Sequence, residues 1–293
     1  MTKIRKKLVL SLFIVIVLII SGDYLSRVSI PVLEPKGVIA DQEFRLLIII
    51  TLIMLIVVVP VFFLLAFIVW RYRDDNNHRG KYTPDWDHSR LIEGIWWGIP
   101  TLLIIVVAII TWKATYALNP YKPIASQNPT ITIQVVSMDW KWLFIYPKQH
   151  IATINYIEFP VNYPVHFYIT SDAPMNSFWL PQLSGQIYAM AGMQTQLYLM
   201  ANVKGTFIGR SANISGIGFA GMQFSAVAVN ANTFKSWVRR TSDSPETLSL
   251  SEYKKLQKPS LYVPVRFFSR PVVGLFNAVI NQYMTPESQA IKL

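Results

Sequence analysis

The sequence predicts a membrane protein with two transmembrane helices, an N-terminal signal or anchor before them, and a C-terminal all-β sandwich that ends in a helical, aromatic-rich tail. Three observations predict it. The 293 residues are 52% hydrophobic and 15% charged, with mean hydropathy +0.35, which is too apolar for an ordinary water-soluble chain. Two long stretches carry no charge at all. Beyond them the apolar residues begin to alternate with polar ones, the period of a half-buried strand.

At the N-terminus, Lys3, Arg5, Lys6 and Lys7 precede an apolar run over 8–20 and the small residues Ser21 and Gly22, the layout of a secretory signal. Residues 1–22 are a signal peptide or a retained anchor. Asp23 stands where a lipoprotein would need its acceptor Cys, so lipidation there is chemically impossible. Residues 23–118 form a helical hairpin. Its first span, 46–70, is 25 uncharged residues, long enough to cross roughly 30 Å of hydrocarbon. Pro60 inside it predicts a kink rather than a break. The second span, 94–112, begins at Gly94 with Trp96 and Trp97 and ends at Trp112, placing tryptophans at both interfaces. Between them lie Arg71, Arg73, Arg79, Lys81 and Arg90. So basic a short loop belongs in the cytoplasm, which puts everything after Trp112 outside.

A Pro-rich linker from Asn119 opens a β domain over 119–232. Strands are predicted at 130–135, 151–159, 165–170, 194–200 and 224–229, punctuated by Pro, Gly and Asn; this spacing suits a sandwich of about 100 residues. Over 233–293 the pattern turns helical, at 236–240 and 250–256, and then aromatic, with Tyr262, Phe267, Phe268, Phe276 and Tyr283.

The chain contains no Cys, which excludes disulfides, thiolate catalysis and any Cys-built metal site. Its formal charge is +11. An exported domain excludes nucleic acid as partner and leaves the basic excess for docking or for lipid.

Four segments carry a resemblance. The run from His88 to Pro100, with Glu93-Gly94-Ile95-Trp96-Trp97, resembles the start of the second helix in subunit II of the haem–copper terminal oxidases. Val135-Val136-Ser137-Met138-Asp139-Trp140-Lys141-Trp142 resembles the Trp-x-Trp strand of that family. Met175-Asn176-Ser177-Phe178-Trp179-Leu180-Pro181, followed by Ala191-Gly192-Met193, resembles the first copper loop and its turn, and the run from Ser211 to Met222 the second copper loop. The motifs occur in family order from about residue 46 to the tail, and the resemblance implies a cupredoxin-like sandwich in the periplasm of a bacterial inner (cytoplasmic) membrane.

Where the copper-bearing branch has a His, two Cys, a second His and a Met, this chain has Asn176, Ser211, Ser215, Phe219 and Met222. Only the Met is retained. A serine hydroxyl is a hard, poor ligand for Cu(I) and a phenyl ring is none, so these positions are expected to pack and hydrogen-bond. From Lys113 onward 15 Lys and Arg face 7 Asp and Glu, a charge balance that repels basic cytochrome c. The copperless branch is the quinol oxidases, and the wording most resembles subunit II of the cytochrome bo-type ubiquinol oxidases. That resemblance implies a non-redox subunit with no catalytic residue and no cofactor or metal of its own. It also implies haems and copper in subunit I, ubiquinol as the substrate of a proton-pumping complex, and subunit I, the other subunits and membrane lipid as partners. A copper-carrying cytochrome c oxidase subunit and a membrane-tethered assembly module are the rival readings.

Glu93 is either a solvated carboxylate favourable at a helix N-terminus or, as the resemblance implies, a residue at the entrance of a proton pathway. Trp140 matches the tryptophan through which electrons enter the copper-bearing relatives; without copper it is expected to pack. His150 and His166 lack metal-ligand spacing and are expected to be satisfied or exposed, His88 to be a loop or cap residue, and the Met residues to be flexible filler.

Overall fold

The computed structural model describes residues 30–72 and 87–284, together with residues 16, 22 and 23. The leader over 1–22 and the basic residues Arg73, Arg79 and Lys81 therefore fall almost wholly outside the described residues. Helix α1 (Val38–Arg71) and helix α2 (Arg90–Ala117) contain the two expected spans and exceed them at both ends. At 1.5 Å per residue they are about 51 and 42 Å long, so whole turns emerge from the hydrocarbon. Those turns carry the charges: Asp41, Glu43 and Arg45 in α1, Arg90, Glu93 and Lys113 in α2. Pro60 and Pro100 both lie inside unbroken helices. Leu, Ile, Val and Phe side chains along both helices are exposed, as lipid or a partner subunit requires.

Eleven strands follow: β1 (Ile131–Met138), β2 (Lys141–Tyr146), β3 (Ile151–Ile154), β4 (Tyr156–Pro160), β5 (Val165–Ser171), β6 (Asn176–Trp179), β7 (Gln186–Ala189), β8 (Thr195–Leu199), β9 (Gly205–Ser211), β10 (Gln223–Val229) and β11 (Arg266–Ser269). One sheet has the order β11-β3-β2-β1-β5-β8 and the other β4-β10-β9-β6-β7. Between the sheets Phe144, Phe178, Phe224 and Trp142 form an aromatic core, with Phe178 stacked on Phe224 at 5.1 Å. The other side of the first sheet is covered by α4 (Leu250–Leu256) and α5 (Leu275–Gln282), which bring Tyr253, Leu256, Leu275, Phe276 and Val279 against Val136, Leu143 and Ile145. Covered on both faces, β2 is buried along its whole length. Helix α3 (Ala231–Ser242) seats Phe234 and Trp237 against the first core.

Three expectations change in detail. The single strand expected at 151–159 is two strands in different sheets, because Asn155 adopts φ 55° and redirects the chain; its Oδ1 accepts from Trp142 N at 2.8 Å and its Nδ2 donates to Val263 O at 2.9 Å. The Trp-x-Trp segment is a strand, a turn at Asp139-Trp140, and a second strand. The tail does not stand apart, since β11 pairs with β3 and completes the six-stranded sheet.

The membrane hairpin is fastened to the sandwich through backbone. The first N–H groups of a helix have no acceptor within it. Here Val38 N donates to Met200 O at 3.1 Å and Ala40 N to Leu183 O at 3.3 Å, while Lys36 N donates to Gln182 O and accepts at its carbonyl from Asn202 N. Gly37 pairs with Ala201 as an isolated bridge. A Cβ on Gly37 would lie 2.6 Å from Leu183 O, so only glycine allows this approach.

Candidate functional site

The strand ends remote from the hairpin gather the positions at which the copper-bearing relatives hold metal. Asn176 opens β6 and Ser211 closes β9, and the two strands are neighbours. Both side chains are buried. Ser211 Oγ donates to Asn176 Oδ1 at 2.9 Å and lies 3.2 Å from Asn213 O, and Asn176 Nδ2 donates to Pro174 O at 3.0 Å. Asn213 Nδ2 reaches back to Met175 O at 2.7 Å. A neutral amide and hydroxyl thus satisfy one another and cross-tie the two loops. Met222 is buried, and its carbonyl accepts from Ser211 N at 3.2 Å. Phe219 opens the short 3-10 turn that leads into Met222, whose N–H donates to Phe219 O at 3.0 Å.

Ser215 is not bonded to this pair. Its carbonyl accepts from Trp140 Nε1 at 3.3 Å, and its Oγ is buried with no partner among the described residues. The Trp140 ring, held by a residue at φ 62°, lies so close to the loop that a Cβ on Gly218 would come within 2.3 Å of it. Trp140 therefore packs, as expected.

This donor set does not fit a dinuclear copper centre. Soft thiolates and imidazoles are replaced by two hydroxyls, an amide and a phenyl ring, leaving one thioether. Among the described residues no group of three His, Cys, Asp or Glu side chains converges on a common point. His166 is buried, bonds through Nε2 to Gln196 Oε1 at 2.9 Å and stacks on Tyr198; burial holds its pKa below the ordinary value, opposed by the Gln196 bond. His150 is exposed.

Glu93 lies in the first turn of α2, and its Oε1 accepts from the N–H of the N-cap residue Ser89 at 3.2 Å. The carboxylate closes the helix start in the manner of a capping box. His88 precedes that cap and pairs with Asp87 at 2.8 Å on an exposed loop.

Sequence reasoning missed a polar hub on the far face. Asp172 Oδ2 accepts from Tyr253 OH and from Gln257 Nε2 at 2.8 Å, and Oδ1 from Tyr283 OH at 2.7 Å and Gln282 Nε2 at 3.4 Å. One carboxylate in the β5–β6 connection thereby holds residues from both tail helices or their ends. Lys141, buried at the start of β2, ties the tail again by donating to Lys258 O at 2.9 Å. Nothing in the local sequence marks these partners, which are 81 to 117 residues apart.

Two apolar spans, a β-sandwich, and paired loops in the positions of a dinuclear copper site define a class, subunit II of the haem–copper oxidases. Residues 112–229 match the family described as Cytochrome C oxidase subunit II, periplasmic domain, and residues 243–287 match the COX Aromatic Rich Motif. The chain is 47% identical to cytochrome bo(3) ubiquinol oxidase subunit 2 of Pseudomonas aeruginosa, over 85% of this chain and 75% of that one. It is 44% identical to ubiquinol oxidase subunit 2 of Acetobacter aceti, over 90% and 86%, and 37% identical to quinol oxidase subunit 2 of Bacillus subtilis, over 78% and 71%. The chain belongs to the ubiquinol oxidase subunit 2 family, and is a membrane-anchored subunit of an oxidase complex.

Proposed function

We propose that this chain is the non-redox subunit II of a proton-pumping ubiquinol oxidase in a bacterial inner membrane, with its sandwich in the periplasm. The haems and copper that reduce oxygen belong to subunit I, and ubiquinol rather than cytochrome c supplies the electrons. One observation carries the reading: Ser211 and Asn176 spend their donor and acceptor on each other where relatives hold metal. The chain then serves subunit I as a periplasmic cap and a pair of flanking helices. At the far end of the sandwich Ile214 and Ile217 are 80% and 86% exposed, apolar side chains suited to burial against a neighbouring subunit.

Glu93 stands in this reading at the cytoplasmic mouth of a proton path. Its carboxylate accepts from the Ser89 N–H, which orients it at the start of α2.

The test is the purified complex, assayed for metal content and electron donor. Copper at the level of a single subunit I site, with oxygen uptake driven by ubiquinol and not by reduced cytochrome c, is the expected outcome. Two further copper ions bound to this chain, or its direct reduction by a soluble haem protein, overturns the proposal. So does undiminished ubiquinol-driven uptake by a fully assembled complex after deletion of the gene.

A further inference from the structure

Apart from disfavouring cytochrome c, the basic excess of the exported region has no part in the reading above; in the connections between strands it falls at the hairpin end, while Lys141, Arg210 and Lys258 stand near the other. The strands run alternately toward and away from the hairpin. Their connections at the hairpin end are therefore 147–150, 161–164, 180–185, 200–204 and residue 230, and those at the far end are 139–140, 155, 172–175, 190–194 and 212–222. No Asp or Glu occurs in the first set or in the linker 119–130, and no Lys or Arg in the second, which holds Asp139 and Asp172. Around the hairpin end stand Lys36, Lys122, Lys148, Lys204 and Lys235, all exposed, and none is in an ion pair among the described residues. The acids near that end are Glu34 and, in the first turns of α1, Asp41, paired with Arg45, and Glu43, which accepts a backbone bond from Gly185.

A cavity of about 360 Å³ opens on this end between the β2–β3 turn and the start of α3. Its walls include Ile131, Pro160, Tyr163 and Phe234, and Lys148 and Lys235 stand among its lining residues. Ala231, the first residue of α3, also lines it. That helix has no side-chain cap, and its first backbone bond to a preceding carbonyl is Phe234 N to Asn230 O, so the N–H groups of 231–233 add a positive helix end to the two lysines. The cavity thus combines an apolar wall with a cationic rim that has no ion-pair partner among the described residues.

We propose that this end of the sandwich is a docking surface for the bilayer leaflet beneath it, and that the cavity seats the phosphate headgroup of an anionic phospholipid such as phosphatidylglycerol. The phosphate sits between Lys148 and Lys235 at the start of α3, and the glycerol backbone lies on the apolar wall. Continuity with the hairpin favours lipid over a soluble anion. Gly37, at the start of α1, bridges Ala201, whose carbonyl accepts from Asn162 N, and Tyr163 follows directly into the cavity wall. The proposal requires only that the hairpin spans a bilayer, not that the chain serves an oxidase, so the two readings fail independently.

The test is amide hydrogen exchange of the full chain in nanodiscs of phosphatidylcholine, of phosphatidylcholine with phosphatidylglycerol, and of phosphatidylcholine with inorganic phosphate. With phosphatidylglycerol alone, amides of 148–150 and 230–235 should slow at least fivefold, about the effect of one lysine at an anionic surface, and the slowing should fade at high salt. K148E/K235E should abolish it, whereas K254E/K255E, which alters two lysines on α4, should leave it intact. No slowing with phosphatidylglycerol, equal slowing with phosphate alone, or slowing that survives in K148E/K235E each overturns the proposal.

Discussion

Removing the Asp172 carboxylate should release the tail while leaving the sandwich folded. Two tyrosines converge on it from opposite ends of the tail, and Tyr253 is itself buried. A hydrogen bond to a charged acceptor is worth ~1.5–3 kcal/mol, and a buried hydroxyl left without one incurs its desolvation cost. Because both bonds share one carboxylate they do not add fully, so Asp172→Ala should weaken docking of α4 and α5 by about 3–5 kcal/mol. At tenfold per 1.4 kcal/mol, the undocked population rises between about a hundredfold and a few thousandfold. Asp172→Asn keeps one carbonyl acceptor and should lose roughly half as much. Hydrogen exchange read separately over 250–256, 275–282 and β1 distinguishes tail release from global unfolding. The same bonds set an alkaline limit. Burial, followed by the Asp172 bond, raises the pKa of both Tyr253 and Tyr283 above that of a free phenol. A group raised on folding contributes its stability fully below its unfolded value, near 10 for tyrosine, and loses it as pH climbs toward the folded one. Tail exchange should therefore accelerate above about pH 10 in the wild type, and less steeply in Asp172→Ala, whose tail is already loose. Unchanged exchange over both helices in Asp172→Ala would refute the hub.

Three further outcomes are expected. Gly37→Ala forces a Cβ against the Leu183 backbone at 2.6 and 2.8 Å; overpacking of this kind costs ~1–3 kcal/mol and should lower Tm by roughly 2–10 °C with faster exchange over 199–203, and an unaltered melt and exchange pattern would show that the junction yields freely. Glu158 is buried, accepts from Tyr156 OH at 2.8 Å and leaves Oε1 without a partner among the described residues; desolvation raises its pKa against the opposing effects of Tyr156 and Arg240, so its contribution is present at acid pH and is lost as pH rises through the folded value. Glu158→Gln should accordingly flatten the fall in stability above about pH 4.5 and stabilise the protein at neutrality, and denaturation curves with the same pH slope in both proteins would exclude this. Glu93→Gln keeps an oxygen for the Ser89 N–H while removing the charge, so the assembled oxidase should turn over more slowly; equal turnover and equal proton pumping would rule out the inlet.

Much of the architecture was legible because its physics is local. Continuous apolar runs marked both spans, and strict alternation marked β1, β5, β8 and β10, whose two faces meet different surroundings. Helix α4 fell on its expected residues, where Ser249 caps it by accepting from the Glu252 N–H at 3.2 Å. What escaped notice depends on distant partners. Gly209 reads as a turn residue, but it is an inward position of β9, kept without a side chain because a Cβ there would lie 2.0 Å from the Phe224 ring. Strand β11 forms only because β3 offers it an edge 115 residues earlier in the chain, from Ile151 to Arg266. Asp172 looked like any turn acid until the tail folded over it.

The polar tie between Asn176 and Ser211 also explains how this end of the fold can hold together without a metal cross-link. A metal pinned between the β6 and β9 loops would be a strong cross-link, and deleting only its ligands would leave buried polar groups without partners. The substitutions are instead complementary: Asn176 supplies an acceptor to Ser211 and a donor to Pro174 O, and Asn213 reaches the preceding loop at Met175 O. Each such bond is worth only ~0.5–1.5 kcal/mol net, far below a metal–thiolate bridge. The remainder of the stability at this end comes from Phe178 and Phe224 stacked behind Ser211, and from Trp140 pressed on Gly216 and Gly218. Aromatic packing can hold these loops together but offers no ligand field to a metal.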